Sequence, residues 1–531
     1  MSLRARFVSE IGYNLEHYEL LKWYKEKWGN QLYILKEDTI ESFLPYLINY
    51  ETIPRDELNL PELKIKTVDK QYSQYRFNLN LKLNIKHDEN EQEVLLENGD
   101  PYNLIPIAKR NAKLIAVGGH ITTMKWLPQK LDDEQEHPDL SYLAIGVITG
   151  EDPDFKDINP TNLELNVFNN YSKTKNINSS IQIWEYNTTT NEFSLYKVLI
   201  TSEFGAISDL DWAQLYTDDP TIGILSCVFK DGKVHLLRIE KDLPKYSVLE
   251  NSSLVYTSDS NENKRSNLTC FSFNGTRTIL AGTADGYVLE FELPFHYRSD
   301  DITKPNYKTF VTNGPISNMV SIKIPDQDNN YINIINGQGY KGNAYTTQNP
   351  ISEVFAPVVE RSSIKPTYNS LLRDIFLSHN LEYSNIISFR SLQDGITNMF
   401  QLDSWMTCAK MSEILSHPFL LIGTSNGEVI LINYTRKFFS SRSRNKFLSP
   451  LIMWKFTLTV NKEKKKSIQC LNLNTNFFKS VVENSTPASF MPKEVMISSV
   501  AWNENVKGSS IYAAGTASGV LIVERLDPNF S

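Results

Sequence analysis

The sequence predicts an all-β fold, a ring of small antiparallel sheets, with a short helical extension at its N-terminal end. Two recurring motifs and a change of texture near residue 70 carry this expectation. The first motif is a hexapeptide with apolar residues at positions one, four and six. It occurs as Ile121-Thr-Thr-Met-Lys-Trp126, Ile207-Ser-Asp-Leu-Asp-Trp212, Leu268-Thr-Cys-Phe-Ser-Phe273 and Ile497-Ser-Ser-Val-Ala-Trp502, and more loosely as Ile316-Ser-Asn-Met-Val-Ser321. The second reads apolar, Gly-Thr, two residues, Gly, apolar run. Leu280-Ala-Gly-Thr-Ala-Asp-Gly-Tyr-Val-Leu, Leu421-Ile-Gly-Thr-Ser-Asn-Gly-Glu-Val-Ile and Ala514-Gly-Thr-Ala-Ser-Gly-Val-Leu follow it, and Cys227-Val-Phe-Lys-Asp-Gly-Lys-Val is a variant. Asp-Gly and Asn-Gly between apolar runs are tight hairpin turns, because Gly and Asn tolerate positive φ.

Each unit thus reads strand, gap, strand, tight turn, strand. One such sheet cannot bury both of its faces, and stacking copies around a ring does. A repeat of this kind is the signature of a propeller with WD-type repeats. Blades are expected near 110–190, 200–242, 262–295, 308–346, 385–435 and 451–526, with seven blades as the preferred count. Gln74–Lys86 alternates, with Tyr75, Phe77, Leu79, Leu81, Leu83 and Ile85 on one side, and reads as a strand that completes a further blade or closes the ring. Polar stretches at Asp132–Asp139, Glu151–Ser180 and Asn474–Pro492 read as insertions, the last of them inside the final blade.

The first residues differ. Leu15, Tyr18, Leu20, Leu21, Trp23, Tyr24 and Trp28 fall close to helical spacing among Glu and Lys. The helix either packs on its own domain or binds a partner. Pro54 and Pro61 then interrupt the pattern. Two regions are expected, a helical extension over 1–65 and a propeller over 66–531.

Composition narrows the function classes. With 41% hydrophobic and 22% charged residues, the 531-residue chain can build a substantial core. A net charge of −8 excludes a globally basic nucleic-acid coat. Cys227, Cys270, Cys408 and Cys470 are too far apart for a Cys-x-x-Cys clip and read as buried free thiols. The start lacks an apolar signal segment, and no run approaches the roughly 18 apolar residues of a membrane span, so a cytosolic or nuclear chain is expected.

No catalytic motif stands. Gly337-Gln-Gly-Tyr-Lys-Gly342 matches G-x-G-x-x-G, but Asn-Ala-Tyr-Thr-Thr-Gln-Asn-Pro follows where a dinucleotide site needs a helix. Gly423-Thr-Ser-Asn-Gly427 matches the nucleophile elbow, yet the strand-like Glu428-Val-Ile-Leu-Ile follows it, and sister copies of the repeat carry Ala at the Ser position. His120 and Trp184-Glu185 bracket one blade, and His120 is expected in a buried hydrogen-bond network. No cofactor, metal site or small-molecule substrate is expected, and the chain reads as a non-enzyme. The sharpest charge signal lies at 436–466, where Arg436, Lys437, Arg442, Arg444, Lys446, Lys455, Lys462, Lys464, Lys465 and Lys466 face only Glu463, with Phe438, Phe439, Phe447 and Trp454 interleaved. Such a segment is either a solvated loop or a contact to DNA phosphates or an acidic partner. Arg436, Lys437, Arg442, Arg444, Lys446, Lys464, Lys465 and Lys466 are its candidate contact residues.

The ordered set of blade motifs resembles the WD-repeat subunit of transcription factor IIIC. The resemblance rests on Gly118-Gly-His-Ile-Thr-Thr-Met-Lys-Trp-Leu-Pro128 with Tyr142-Leu-Ala-Ile-Gly146, on Ile181-Gln-Ile-Trp-Glu-Tyr186, on Gly205-Ala-Ile-Ser-Asp-Leu-Asp-Trp212 with Gly223-Ile-Leu-Ser-Cys227 and Lys230-Asp-Gly-Lys-Val234, and on Leu280-Ala-Gly-Thr-Ala-Asp-Gly286. It covers roughly residues 110–295 well and the remainder thinly. It implies a nuclear, non-catalytic scaffold subunit in the arm that holds the B-box promoter of tRNA-type genes for RNA polymerase III; the repeats by themselves leave open a scaffold of another assembly, such as a chromatin, vesicle-coat or ubiquitin-ligase adaptor. Its implied partners are a second propeller subunit, a large winged-helix subunit and, through them, promoter DNA, with no membrane. Family members often carry a long basic tail before the propeller. This sequence enters folded-looking residues almost at once, so DNA binding through such a tail is not expected.

Overall fold

A computed structural model of the chain describes residues 14–77, 80–131, 139–149, 177–259, 266–295, 303–323, 330–337, 342–346, 349–354, 364–379, 383–388, 397–439, 448–461, 468–479 and 492–530. Seven sheets with a four-stranded antiparallel core follow one another as the blades of a propeller. Blade 1 runs through His120–Trp126, Leu140–Thr149, Asn178–Asn187 and Glu192–Ile200. Blade 2 uses Ile207–Trp212, Thr221–Phe229, Val234–Glu240 and Leu254–Tyr256. Blade 3 uses Leu268–Asn274, Thr278–Thr283, Tyr287–Glu292 and Tyr307–Phe310, and blade 4 Ile316–Lys323, Tyr331–Gly337, Gly342–Thr346 and Asn349–Val354. Blade 5 comprises Thr367–Asn369, Asp374–His379, Tyr383–Ser388 and Thr397–Gln401. Blade 6 comprises Met406–Lys410, Phe419–Thr424, Glu428–Asn433 and Leu451–Asn461. Blade 7 takes Ile497–Trp502, Ile511–Thr516 and Val520–Arg525 from the end of the chain and Ala112–Ala116 from before blade 1.

The hexapeptide is the leading strand of its blade, and its pattern has a physical cause. In six blades the pairing register slips at position two, as between Ile121 and Thr123 or between Ile497 and Ser499. A bulge leaves one residue out of the ladder. That residue is always Ser or Thr (Thr122, Ser208, Thr269, Ser317, Thr407, Ser498), and each hydroxyl donates to a main-chain carbonyl. Position one packs into the neighbouring blade. A Cβ on Gly423 of blade 6 would lie 2.5 Å from Cγ2 of Ile497 in blade 7, and one on Gly515 of blade 7 would lie 2.8 Å from Cγ2 of Ile121 in blade 1. The second of these contacts closes the circle. Position six also ties neighbours together: Trp212 Nε1 donates to Lys125 O at 3.1 Å and Trp502 Nε1 to Lys410 O at 3.2 Å.

The ring is locked by Ala112–Ala116, which pairs antiparallel with Val520–Arg525 from Val520↔Ala116 to Glu524↔Ala112. The expectation that the 74–86 segment completes a blade or closes the ring is therefore corrected. Lys70–Phe77 is a helix capped by Asp69, whose carboxylate accepts from the first-turn donor Tyr72 N at 2.7 Å. Leu81–His87 is a strand, but it extends blade 6 by pairing with Asn90–Leu96 and, in parallel, with Ile468–Asn474. Two blade windows are corrected as well. The 385–435 window spans parts of blades 5 and 6, and 451–526 joins the last strand of blade 6 to blade 7. Phe478–Lys479 pairs with Leu451 and Ile452 of blade 6, and Ile497 opens blade 7, so the insertion expected at 474–492 falls between two blades and not inside the last one. Of the insertions expected at 132–139 and 151–180, residues 132–138 and 151–176 lie outside the described residues, as do 480–491; the end of the second is corrected, since Asn178, Ser179 and Ser180 begin the strand Asn178–Asn187 of blade 1.

The segment before the propeller wraps it. The helix Leu15–Trp28 buries Leu20, Leu21, Tyr24 and Trp28. Tyr24 donates to Ser416 O at 2.7 Å, Trp28 meets Phe419 edge-on, and Asn433 Nδ2 donates to Trp28 O. Of the two readings of this helix, packing on its own domain is what these contacts describe. Onward, Glu51–Ile53 pairs in parallel with Leu215–Thr217 beside blade 2. Asn59 N reaches Pro294 O of the blade 3 side. Lys64–Thr67 then joins Tyr246–Asn251 on the outer edge of blade 1. Among the described residues no helix is long and apolar enough to cross a membrane.

Candidate functional site

The leading strands of the blades bring their fifth hexapeptide positions to one end of the central axis. Lys125, Asp211, Ser272 and Val320 occupy that position, and so does Lys410 in Met406-Thr-Cys-Ala-Lys-Met411; all five line a single cavity. Lys365 and Tyr368 of blade 5 and Glu413, from the segment after the first strand of blade 6, complete it. Tyr50 of the wrapping segment closes this end and packs on Tyr216, with ring centroids 5.8 Å apart.

Most of the charge here is spent internally. Lys125 Nζ sits 3.0 Å from Glu413 and 3.4 Å from Asp211, Lys410 Nζ 2.6 Å from Glu413, and Lys365 Nζ 3.1 Å from Asp209. Glu504, in the turn after the first strand of blade 7, accepts from Ser412 Oγ at 3.0 Å and from the main-chain N–H of Glu413 at 3.1 Å. Burial alone would raise the Glu413 carboxyl, but Lys125 and Lys410 hold it down at about 2. Burial raises Glu504, and Lys125 only partly offsets that. The cavity holds about 20 Å³, room for roughly one water and none for a substrate. These ion pairs and hydrogen bonds tie blades 1, 2, 5, 6 and 7 together at the axis, which is a structural task. Sequence reasoning missed this cluster. Its signal was the fifth hexapeptide position, which carries Lys125, Asp211 and Lys410 between apolar neighbours.

The motifs set aside in the sequence take the places expected of turns. Gly337 ends one strand of blade 4 and Gly342 begins the next, which pairs antiparallel with it; residues 338–341 lie outside the described residues. Gly423–Gly427 joins two strands of blade 6, with Gly427 at φ +84 and Thr424 Oγ1 accepting from Glu428 N at 3.0 Å. Ser425, the residue at the nucleophile position, thus sits in a strand-to-strand hairpin, whereas a nucleophile elbow must turn from strand into helix. His120 reaches between blades: its Nδ1 lies 3.1 Å from Ala517 O of blade 7. Trp184 Nε1 instead donates to Gln182 Oε1 at 3.1 Å, a partner that His120 does not share. The four cysteines are unpaired thiols, with Cys227 and Cys270 buried and Cys408 and Cys470 half-buried. Among the described residues no group of His, Cys, Asp and Glu is arranged to hold a metal.

The basic segment divides. Arg436 and Lys437 lie on the short helix Thr435–Phe439. Lys437 is buried, and burial lowers the pKa of its ammonium, so it does not face a partner. Lys455 pairs with Glu428 across the strands at 2.9 Å. Arg442, Arg444, Lys446, Lys464, Lys465 and Lys466 lie outside the described residues. The last three fall between Asn461 and Ile468, which face each other as the end pair of an antiparallel ladder.

No protein-family model matches the chain. Similarity to individual proteins is extensive. The chain is 22% identical over 545 aligned positions to the transcription factor tau 91 kDa subunit of Saccharomyces cerevisiae, an alignment covering 99% of this chain and 75% of that protein. It is 21% identical over 363 positions to transcription factor tau subunit sfc6 of Schizosaccharomyces pombe, covering 66% of this chain and 57% of that protein. The chain is accordingly a relative of transcription factor tau (factor IIIC) subunits, as its blade motifs imply.

Proposed function

We propose that the chain works as a non-catalytic scaffold subunit of transcription factor IIIC, offering the rim and faces of a rigid propeller to other subunits. The observation that carries this reading is the similarity to a tau subunit over 99% of the chain. The axial cluster supports it from the side of chemistry, because its charges are paired and its cavity is too small for a substrate. The proposed partners are the other subunits, among them a second propeller and a large winged-helix subunit, with promoter DNA held through the assembly in the nucleus. Arg436, Arg442, Arg444, Lys446 and Lys464–Lys466 are the proposed contacts to DNA or an acidic partner, since lysine and arginine neutralise phosphates without reading sequence.

A tagged full-length chain recovered from nuclear extract at moderate salt, with its companions identified by mass spectrometry, tests the assignment. Near-equal recovery of the other factor IIIC subunits is expected. Recovery of a different assembly, without any of them, would sink it. Charge reversal at Lys464, Lys465 and Lys466 then tests the basic segment; retention of full DNA affinity and of every subunit would remove it from the interface.

A further inference from the structure

We infer that the outer edge of blade 6 accepts an added β-strand from another subunit, one that carries lysine or arginine at two alternate positions. This rests on the reading of the chain as a subunit of an assembly. Asn90–Leu96 is the last strand of the sheet that begins with Met406–Lys410. Among the described residues it pairs only with Leu81–His87. It has seven residues, more than the outermost strand of any other blade.

The free edge has a fixed phase. Asp88 and Glu89 form a two-residue turn between the paired His87 and Asn90, with Asp88 at φ +52. The pair that closes such a turn is hydrogen-bonded, and bonded and non-bonded pairs alternate along the ladder. Asn90, Gln92, Val94 and Leu96 therefore bond inward, and the N–H and C=O groups of Glu91, Glu93 and Leu95 point outward. A row of outward main-chain groups is a template for a further strand. The template is accessible, since Glu91 and Glu93 are exposed and Leu95 is 52% exposed. It is also held in place from beneath, where Val94 and Leu96 are buried in one core with Leu83 and Ile85. A partner would order little on binding.

The register of the ladder places the charges that select the occupant. Across the exposed face Lys455, Asn474, Lys86 and Glu91 follow one another from strand to strand, as do Thr457, Asn472, Asn84 and Glu93, and Lys82 stands opposite Leu95. Lys86 Nζ lies 3.2 Å from Glu91 and Lys82 Nζ 3.0 Å from Glu93, so both lysines are one strand further in and the outermost charges of these rows are the two glutamates. An added strand would set one side chain opposite Glu91 and another, two residues away, opposite Glu93. Opposite charges at such positions stabilise a pair of strands and like charges destabilise it. A second copy of Asn90–Leu96, antiparallel across the edge, would bring Glu93 against Glu93 or against Glu91. Lysine or arginine would instead continue the alternation of charge. Leu95 is the third outward residue, and an apolar side chain at the next alternate position would cover it.

The test compares hydrogen exchange in the isolated full-length chain and in the assembly recovered with it from nuclear extract. The amides of Glu91, Glu93 and Leu95 are expected to exchange at least tenfold more slowly in the assembly. A photo-cross-linking phenylalanine analogue at position 95 then identifies the occupant, expected to be a peptide of another subunit with Lys or Arg at two alternate positions. Two variants separate main-chain pairing from charge. Glu93→Pro removes an outward N–H and leaves the inward ladder bonds in place, and Glu91→Lys/Glu93→Lys reverses the charge. Each is expected to recover the cross-linked subunit at least tenfold less, with the melting temperature of the isolated chain unchanged. Equal exchange at the three amides in chain and assembly would overturn the proposal and leave the subunit reading standing. So would cross-links only within the chain, to a second copy, or to a peptide without the two basic residues, and so would full recovery by either variant. Failure of the unaltered chain to recover any factor IIIC subunit would remove that reading, and this proposal with it.

Discussion

Arg525 and Glu37 form a buried two-pronged ion pair, Nη2 to Oε2 at 2.7 Å and Nε to Oε1 at 3.1 Å, that joins the segment before the propeller to the end of its last strand. Ser510 Oγ donates to the same carboxylate at 2.6 Å, and Arg525 gives its remaining donors to Thr188 O, Asn191 Oδ1 and Lys507 O. One guanidinium thus gathers the wrapping segment, blade 1 and blade 7. The segment around Glu37 is part of the ring's closure, alongside the Ala112–Ala116 strand.

Glu37→Ala should therefore loosen more than a local contact. Removing one partner of a buried pair leaves the other charge uncompensated and typically costs about 3–5 kcal/mol. Denaturant unfolding should show a loss of that order. Hydrogen exchange should locate it, with faster exchange at Glu51–Ile53 and in the helix Leu15–Trp28 than inside blade 2. Unchanged protection of both segments would mean that the wrap is held without this pair.

Gly423→Ala tests the packing between blades. The added methyl would lie 2.5 Å from Ile497 Cγ2 and 2.6 Å from Cys408 Sγ, with no side chain end free to swing away on the Ile497 side. Overpacking of this kind costs about 1–3 kcal/mol. Ile497→Ala makes room, so the double variant should lose less stability than the two single losses added together. Strict additivity in urea melts would show that the two residues do not compete for the same space, since coupling is expected only between groups in contact.

These residues also show how far the sequence could be read. The bulge hydroxyls and hairpin glycines repeat, so their blades were legible one by one. The leading strand of blade 6 escaped because Ala409 stands at position four of its hexapeptide, where the other copies carry a larger apolar side chain. Its Thr407 and Lys410 fit positions two and five. The helix Lys70–Phe77 was misread because Tyr75 and Phe77 continue the alternation of the strand that follows. Asp69, whose carboxylate caps that helix, was the contrary signal. The axial ion pairs could not be anticipated as pairs, since Lys125 and Glu413 are 288 residues apart and meet only when the ring closes. The candidate contact Lys437 looked exposed from its charge alone, but it is buried on a short helix that packs beside the helix Leu15–Trp28.

Acid should destabilise the fold in two steps. Burial holds His417 at about 3, and burial, then Lys493, hold His120 at about 4 despite the Ala517 carbonyl. In the unfolded chain both titrate near about 6.5. Their folded values are depressed, so the stability they contribute is present above pH 6.5 and drains as pH falls from there toward 4 and 3. Each histidine adds a slope of at most about 1.4 kcal/mol per pH unit. Glu413, held at about 2, adds a second loss from the unfolded value of about 4.3 downward. Urea midpoints measured across pH should show both steps. His417→Phe, whose ring can keep the edge contact with Trp502 at 4.5 Å, should flatten the upper one. An undiminished slope between pH 6.5 and 4 in that variant would mean that His417 is not what titrates.

Arg110 offers the most direct test of how the ring is held shut. Its guanidinium meets Glu524 in two bonds of 2.7 Å, lies 3.4 Å over the Trp454 ring, and donates to Met453 O and Thr475 O. Glu524 ends the ladder with the closing strand, opposite Ala112. It also accepts from Trp454 Nε1 at 3.1 Å and from the Tyr512 hydroxyl. Arg110→Ala would strand Glu524 among apolar rings, at a cost of about 3–5 kcal/mol. Replacing both partners by methionine removes the charges together, and a buried pair exchanged for apolar side chains of similar volume is often close to neutral. The double variant Arg110→Met/Glu524→Met should therefore be more stable than Arg110→Ala. If instead the double variant is the less stable, the pair contributes more than it costs to bury, and the seam is held by its charges rather than by the strand pairing beside them.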